Sequence, residues 1–309
     1  MASVLRFLPR WLRERLILPR IVIDDAALAN VSVKVAKTRA EVFGSAQLVH
    51  DVYVARGILT PHVSRLKLGP QLVLPSTFTF VATVNDAVVG TISLVADSPL
   101  GLPMDASFRR EIDEVRARGE RIGEVTALAV APEYRRSGLV YLLNRLMIHT
   151  AIANSLDRVV MTVHPRAEAL YETAMLFERL GDERSYVGLN ESARAVAMGL
   201  PVAGLSDRLQ SRFGSRGPVT SNPRWTYFDM PAANVEPVTE ALAHSEERIE
   251  SMEALARARM DVFRSLSDGE LAFLRGNVKG VLWPSRSRSS FDDVAATSHG
   301  LAGAFYARS

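Results

Sequence analysis

Apolar and polar residues alternate in VSVKVAK, from Val31 to Lys37, a period of two that turns one face of an extended strand inward. The period then lengthens. Thr38 and Glu41 form a capping-box pattern opening a helix whose inner face carries Val42, Ala46, Val49 and Tyr53, with Gly57 closing it. A loop rich in Pro and Gly, TPHVSRLKLGPQLVLPS, leads to FTFVATV and AVVGTISLVA. These two β-rich runs flank Asn85 and Asp86 and predict an antiparallel hairpin. After the loop DSPLGLPMD, the charged stretch ASFRREIDEVRARG predicts a helix. GEVTALAVAP is apolar on both faces, which predicts a central strand covered on both sides. Leu139, Leu142, Leu143, Leu146 and Met147 then recur at helical spacing. RVVMTVH predicts another buried strand, a helix is expected from about Ala167 to Leu180, and ARAVAMGLPV reads as the final strand.

The order is mixed α/β, with early strands antiparallel and later ones joined by helical crossovers. After Val202 no periodicity is sustained, although WTYFDM could add an edge strand. A helical pattern returns from about Val238 to Leu266 through Leu242, Ile249, Met252, Ala256 and Phe263. Ser267 and Glu270 form a second capping box before LAFLRG, and the tail PSRSRSSFDD is expected to be mobile. The chain divides on this basis into a basic amphipathic arm (1–28), a core (29–202), a connector (203–233) and a helical extension (234–309).

Composition narrows the function classes. With 48% hydrophobic and 23% charged residues, the chain is an ordinary globular protein long enough for a substantial core. The absence of cysteine excludes disulfides, cysteine metal sites and a thiol acyl-enzyme, and it fits a reducing cytoplasm. A net charge of +3 is too small to argue for nucleic acid. No apolar run approaches the ~20 residues of a membrane-spanning helix. His50, His62, His149 and His164 show no metal-ligand spacing. The N-terminal MASVLRFLPRWLRERLILPR allows two readings. It is either a short helix packed on its own protein, with Pro9 and Pro19 as stops, or a peripheral membrane contact through residues 1–20.

The stretch ALAVAPEYRRSGLVYLLNRL, from Ala127 to Leu146, sets adjacent arginines and a glycine where a strand hands over to a helix. Such a turn is an anion cradle, with free N–H groups, the helix dipole and close backbone approach combined. It is equally a surface turn with solvated arginines.

In context the stretch resembles the central motif of GNAT acyltransferases, a strand ending in Val-x-Pro followed by Arg/Gln-x-x-Gly-x-Gly/Ala and a helix. Arg135 and Gly138 match its first two anchors, and Tyr171 in AEALYETAMLFERLG falls at the tyrosine of the last motif. DVYVARG, DSPLGLPMD, GEVTALAVAPEYR, VHPRAEALYE and LNESARAVAMGL, in that order, resemble FeeM-type N-acyl amino acid synthases, distant relatives of acyl-homoserine-lactone synthases. The resemblance covers about residues 30–202. It implies a mixed, mostly antiparallel sheet with splayed central strands and helices on both faces.

It also implies an N-acyltransferase that moves a long acyl chain from a phosphopantetheine thioester to an amino acid or similar amine. Acyl-carrier protein (ACP) or acyl-CoA is then a co-substrate, and no permanent cofactor is expected. Val140 stands where CoA-dependent relatives keep Gly or Ala, and a branched side chain there obstructs a pyrophosphate. That favours carrier protein over CoA, with Arg135, Arg136, Ser137 and Gly138 as the partial phosphate cradle. The pantetheine arm is expected along the strand edge Ala127, Leu128, Ala129 and Val130, with an N–H near Ala129 or Val130 on the thioester carbonyl. Glu124, the carboxylate on this apolar strand, is the candidate general base, or it pairs with Arg121 instead. Tyr171 is the candidate acid for the leaving thiolate, unless it simply packs in the core. Arg56 and Arg121 are candidates for an acceptor carboxylate. Asp51, Asp97 and Asp105 position its ammonium group or hold loops. Two rivals remain: an acetyl-CoA-dependent acetyltransferase, and a non-catalytic GNAT-like scaffold.

Overall fold

The computed structural model describes residue 5 and residues 8–190, 193–232, 234–237 and 245–283. The first strand is β1 (Ser32–Val35), and Thr38 caps α3 (Arg39–Ala55) reciprocally with Glu41. The hairpin of β2 (Thr77–Val84) and β3 (Ala87–Ala96) turns on Asn85 and Asp86, both at positive φ, as a two-residue hairpin turn demands. α4 (Asp105–Arg116), β4 (Ile122–Val130), α5 (Leu139–Ala153) and β5 (Arg158–Val163) follow, then α6 (Glu168–Met175). Two short strands, β6 (Glu178–Arg179) and β7 (Arg184–Ser185), precede β8 (Arg194–Pro201).

The sheet runs β1-β2-β3-β4-β5-β8-β6, with β7 on β8, and its β4–β5 pair is parallel. One face, carrying Phe80, Ile92, Val125 and Met161, packs on α5 through Leu139, Leu143 and Met147. Val42 and Ala46 of α3 cover Val81 on the other face, and Phe108 and Ile112 of α4 cover Val95, Ile122 and Val160. β4 is therefore covered on both sides, as its unbroken apolar run requires.

The parting of the central strands has a local cause. Thr91 pairs Ala129 while Ser93 pairs Thr126, so Ala127 and Leu128 together oppose Ile92. Ala127 takes φ +54, an uncommon conformation for a side-chain-bearing residue. This bulge bends β4 away from β5. Pairing of β4 with β5 stops at Val125–Met161, while β5 stays paired to β8 as far as Val163–Val196. A slot opens beyond that point.

Three expected elements differ. The helix expected to reach Leu180 ends at Met175 because Leu176 turns left-handed (φ +62), and Glu178–Arg179 joins the sheet instead. WTYFDM forms a single π-helical turn (Trp225–Asp229), not an edge strand; its buried Thr226 and Tyr227 pack inward, and its backbone carbonyls accept from Arg145 and His149 of α5. The helix expected from about Val238 is α8 (Glu246–Ala258), capped by Ser245; residues 238–244 and the tail PSRSRSSFDD lie outside the described residues. α9 (Asp268–Asn277) carries the second capping box, between Ser267 and Glu270.

Residues 13–23 of the N-terminal arm pack on the protein. In α1 (Arg10–Ile17), Arg13 pairs with Glu172 of α6 and Glu14 pairs with Arg212 of α7 (Leu205–Phe213). Leu18, Ile21 and Ile23 then enter the main core, ahead of the short α2 (Asp25–Leu28). Among the described residues no helix is long and apolar enough to cross a membrane.

Candidate active site

The slot between β4 and β5 opens into a cleft of about 670 Å³. Because the strands have parted, side chains from both faces of the sheet reach it. Val125, Ala127, Met161 and Val163 line it together with Thr126, Thr162 and Ala195. α3 contributes Val49 and Tyr53, α6 contributes Tyr171, and the segment before β8 contributes Tyr186. Its walls are largely apolar, with Leu68, Leu72, Leu100, Leu102 and Leu128 on them.

Glu124 lies one residue behind the inner end of the slot, still paired to β5 at Val160, fully buried on the sheet face covered by α4 and not on the cleft lining. Its Oε2 accepts the Met104 N–H at 2.7 Å, and its Oε1 has no partner. Burial, reinforced by the charge of Asp105, raises its pKa to about 8. Tyr53 and Tyr186 are close enough to feel the same charge. The alternative pairing with Arg121 does not occur: Arg121 binds Asp157 through its backbone N–H at 2.8 Å and its Nε at 3.3 Å.

Tyr171 lines the cleft and packs edge-on against Phe177. Burial lifts its pKa to about 12, with Tyr141 and Tyr53 adding to the effect. On the slot edge, the Ala131 N–H donates to the Val89 carbonyl. Antiparallel bonding alternates, so Ala129 also turns its N–H toward β3, while Val130 turns its own toward the slot. Of the two expected carbonyl donors, Val130 keeps a free direction and Ala129 does not; Ala127 and Leu128 line the cleft, whereas Ala129 and Val130 lie beyond its lining.

The glycine turn departs most from expectation. Gly138 holds φ +83, and a Cβ there would run into the Val22 carbonyl oxygen and lie 2.8 Å from Ile23 Cα. The Asp24 N–H donates to the Ser137 carbonyl at 2.9 Å, and the Ser137 hydroxyl donates to the Tyr134 carbonyl at 2.8 Å. The close approach that glycine permits is thus taken by the chain's own residues 22–24. Ser137 and Gly138 are buried beneath that segment, while Arg135 and Arg136 remain exposed; none of the four lines the cleft.

Among the acceptor candidates, only Arg56 and Asp105 reach the cleft. Arg56 is exposed at its mouth. Asp105 is buried and held: Oδ2 accepts the Leu102 N–H at 2.8 Å and Arg116 Nη2 at 2.6 Å. Arg116 also binds Asp97 through Nε at 2.7 Å, so Asp97 fastens the loop DSPLGLPMD and does not line the cleft. Arg121 is corrected likewise, since it stands at the far end of β4 on Asp157. Asp51 pairs with Arg65. His164 lines the cleft and accepts the Arg166 N–H at Nδ1. Among the described residues no cluster of His, Asp or Glu could hold a metal ion. Sequence reasoning missed Tyr186, Thr162 and Lys67 on the cleft wall. No local pattern marks them, because they come from separate segments that only the fold joins.

The family model of N-acyl amino acid synthase FeeM matches residues 44–201. The chain belongs to the FeeM family of N-acyl amino acid synthases. It is an N-acyltransferase with a GNAT-like core. The solved structure of FeeM, an N-acyl amino acid synthase from uncultured soil microbes, is similar over 57% of this chain and 93% of its own. The identity is 23% and the TM-score 0.50. BjaI, a CoA-dependent acyl-homoserine lactone synthase, is 17% identical over 69% of this chain and 97% of its own, with TM-score 0.45. A GNAT-family acetyltransferase from Streptococcus pneumoniae is 20% identical over 55% of this chain and 99% of its own, with TM-score 0.38. No curated protein sequence matches the chain.

Proposed function

We propose that the enzyme transfers a fatty acyl group from the phosphopantetheine thioester of ACP to the α-amine of an amino acid. The observation that carries this reading is the through-sheet cleft. An acyl-pantetheine thread can lie along the free edge of β4 with its chain against Leu68, Leu72, Leu100 and Leu102. A cleft of this size and lining suits a chain much longer than acetyl.

The choice of carrier protein over CoA rests on residues 22–24. They sit on Gly138, where a nucleotide's pyrophosphate would need to approach, and leave Arg135 and Arg136 exposed beside the turn. A carrier-bound arm has no nucleotide to place there, and two exposed arginines suit an acidic carrier surface. That donor also implies a cytoplasmic setting.

In the reaction, the neutral amine attacks the thioester carbonyl carbon, and the Val130 N–H stabilises the oxyanion. A C–N bond forms and the C–S bond breaks. The proton from nitrogen passes to Glu124, through one water because the carboxylate is buried behind the cleft wall. Tyr171, at pKa about 12, holds its proton too tightly to give it fully to a thiolate. It serves as a hydrogen-bond donor to the departing sulfur, whose proton then comes from solvent. Exchange of Tyr171 for Phe is accordingly expected to lower kcat roughly tenfold, the worth of one such bond, with both KM values unchanged. Steady-state kinetics check this, and unchanged kcat removes Tyr171 from the mechanism.

The reading is tested by incubating the enzyme with dodecanoyl-ACP or dodecanoyl-CoA and a pool of amino acids. N-acyl amino acids are expected by mass spectrometry, with higher kcat/KM for the carrier donor. A preference for CoA overturns the donor assignment, and no product with either donor overturns the reading.

A further inference from the structure

A second cavity, of about 20 Å³, lies between α3, the sheet and α8, and it shares Val49, Lys67, Leu68, Leu72 and Ala127 with the cleft. Its lining is polar in an unusual way. Ser45, Thr79, Thr91 and Ser93 face it with Lys67 and Arg248, and no Asp or Glu lines it among the described residues. We infer that the acceptor's carboxylate binds at the junction of the cleft and this recess, one of its oxygens entering the recess in the space of a single water, with Lys67 as its counter-ion. The inference rests on the acyl-transfer reading above.

Four observations support the assignment. First, Thr91 is completely buried and its Oγ1 has no hydrogen-bond partner, so its proton is available to an acceptor oxygen. Second, Thr79 Oγ1 and Ser93 Oγ bond to each other at 3.0 Å. A hydroxyl pair uses one of its two protons in that bond, which leaves the other to donate. Third, Lys67 is half-buried at the junction of the two spaces and has no carboxylate partner among the described residues. Burial and the nearby Arg259 both disfavour its charge, so an incoming anion meets a cation that lacks a counter-ion. Fourth, Arg248 is buried over the Phe78 ring and donates to the carbonyls of Pro75 and Thr77. It adds positive potential while remaining fixed in place.

The position suits the chemistry. Ala127 forms a wall common to the recess and the cleft, directly at the bulge that opens the slot. The α-amine of an amino acid is one carbon from its carboxylate. With the carboxylate against Lys67 and Thr91, that amine reaches the slot edge, on the sheet face that also carries Glu124. Arg56, the candidate from sequence, is exposed at the cleft mouth, where water screens a carboxylate contact. Met252 and Leu255 of α8 close the recess from behind, so this one C-terminal helix completes the site from outside residues 44–201.

The experiment compares an equimolar pool of L-amino acids with the corresponding decarboxylated amines, using one acyl donor. The wild type is expected to prefer amino acids. Lys67→Met is expected to raise KM for them ten- to a hundredfold and to move KM for the amines less than about twofold. Thr91→Val is expected to raise the amino-acid KM several-fold, and Lys67→Arg to restore most of the preference. Thr91→Val and Lys67→Arg decide the matter should Lys67→Met fold poorly. Wild-type enzyme acylating both acceptor classes equally overturns the inference while leaving the acyltransferase reading intact. So does a selectivity loss that follows Arg56→Met and not the Lys67 and Thr91 variants. Absence of any N-acylated product from either acceptor class overturns the underlying reading and the recess assignment with it.

Discussion

Replacing Glu124 by Gln is expected to lower kcat by a factor of about 10² to 10⁴ while making the folded protein more stable at alkaline pH. The two effects share one cause. Burial raises the folded-state pKa from 4.5 to about 8. Below the unfolded value both states hold the proton and the group contributes nothing to the pH dependence. As pH rises from about 4.5 to 8, the unfolded chain releases its proton while the folded chain retains it, so stability falls through that window. Glutamine has no proton to lose. The variant should therefore match the wild type near pH 4 and exceed it above pH 8, by about a few kcal/mol.

Activity should move the other way. A general base must be deprotonated, so wild-type kcat is expected to climb toward a plateau above about pH 8. Residual turnover in the Gln variant should lack that rise. Thermal melts and pH–rate profiles on both proteins make the check. Unchanged turnover, or a wild-type profile flat from pH 6 to 9, would remove Glu124 from proton transfer. A purely structural role predicts a change in stability without the change in the profile.

The second large effect belongs to Gly138→Ala. A left-handed residue with a Cβ costs about 1–2 kcal/mol in backbone strain alone. Here the added carbon also meets the Val22 carbonyl oxygen and Ile23 Cα, both backbone atoms that cannot rotate aside. The arm must lift, which breaks the Asp24–Ser137 hydrogen bond and loosens Ile21 and Ile23 from the core. A total loss of about 2–4 kcal/mol is expected, lowering Tm by roughly 3–6 °C in a chain of this length. Hydrogen exchange at the Asp24 amide should accelerate at the same time. A variant that melts like the wild type, with that amide still protected, would show that the arm does not depend on this glycine. Under the carrier-protein reading, the same lifted arm should also improve use of CoA donors relative to wild type.

Several features were legible without coordinates because they depend on neighbours along the chain. The capping boxes at Thr38 and Ser267 are closed within four residues, and the Asn85–Asp86 turn within two, so local chemistry suffices. The doubly apolar run of β4 announced a central strand in the same way. The isolated carboxylate in that run, Glu124, marked a buried titratable group before its surroundings were known. The misread elements failed for the opposite reason. Nothing local in AMLFERLG shows that Leu176 turns left-handed so that Glu178 and Arg179 can pair with β8. WTYFDM has strand-like composition, but packing of its backbone against Arg145 and His149 decided otherwise.

Residue types, periodicity and family motifs determined the mixed sheet, its central strand, its helical faces and the acyl-transfer chemistry. Tertiary structure alone decided what each charged residue meets. It sent Arg121 to Asp157, tied Asp97 and Asp105 to Arg116, placed residues 22–24 on Gly138, and gathered Lys67 and Thr91 into one recess. Secondary structure follows from interactions a few residues apart. A charge's partner and its desolvation depend on segments far apart in sequence, brought together only when the core closes.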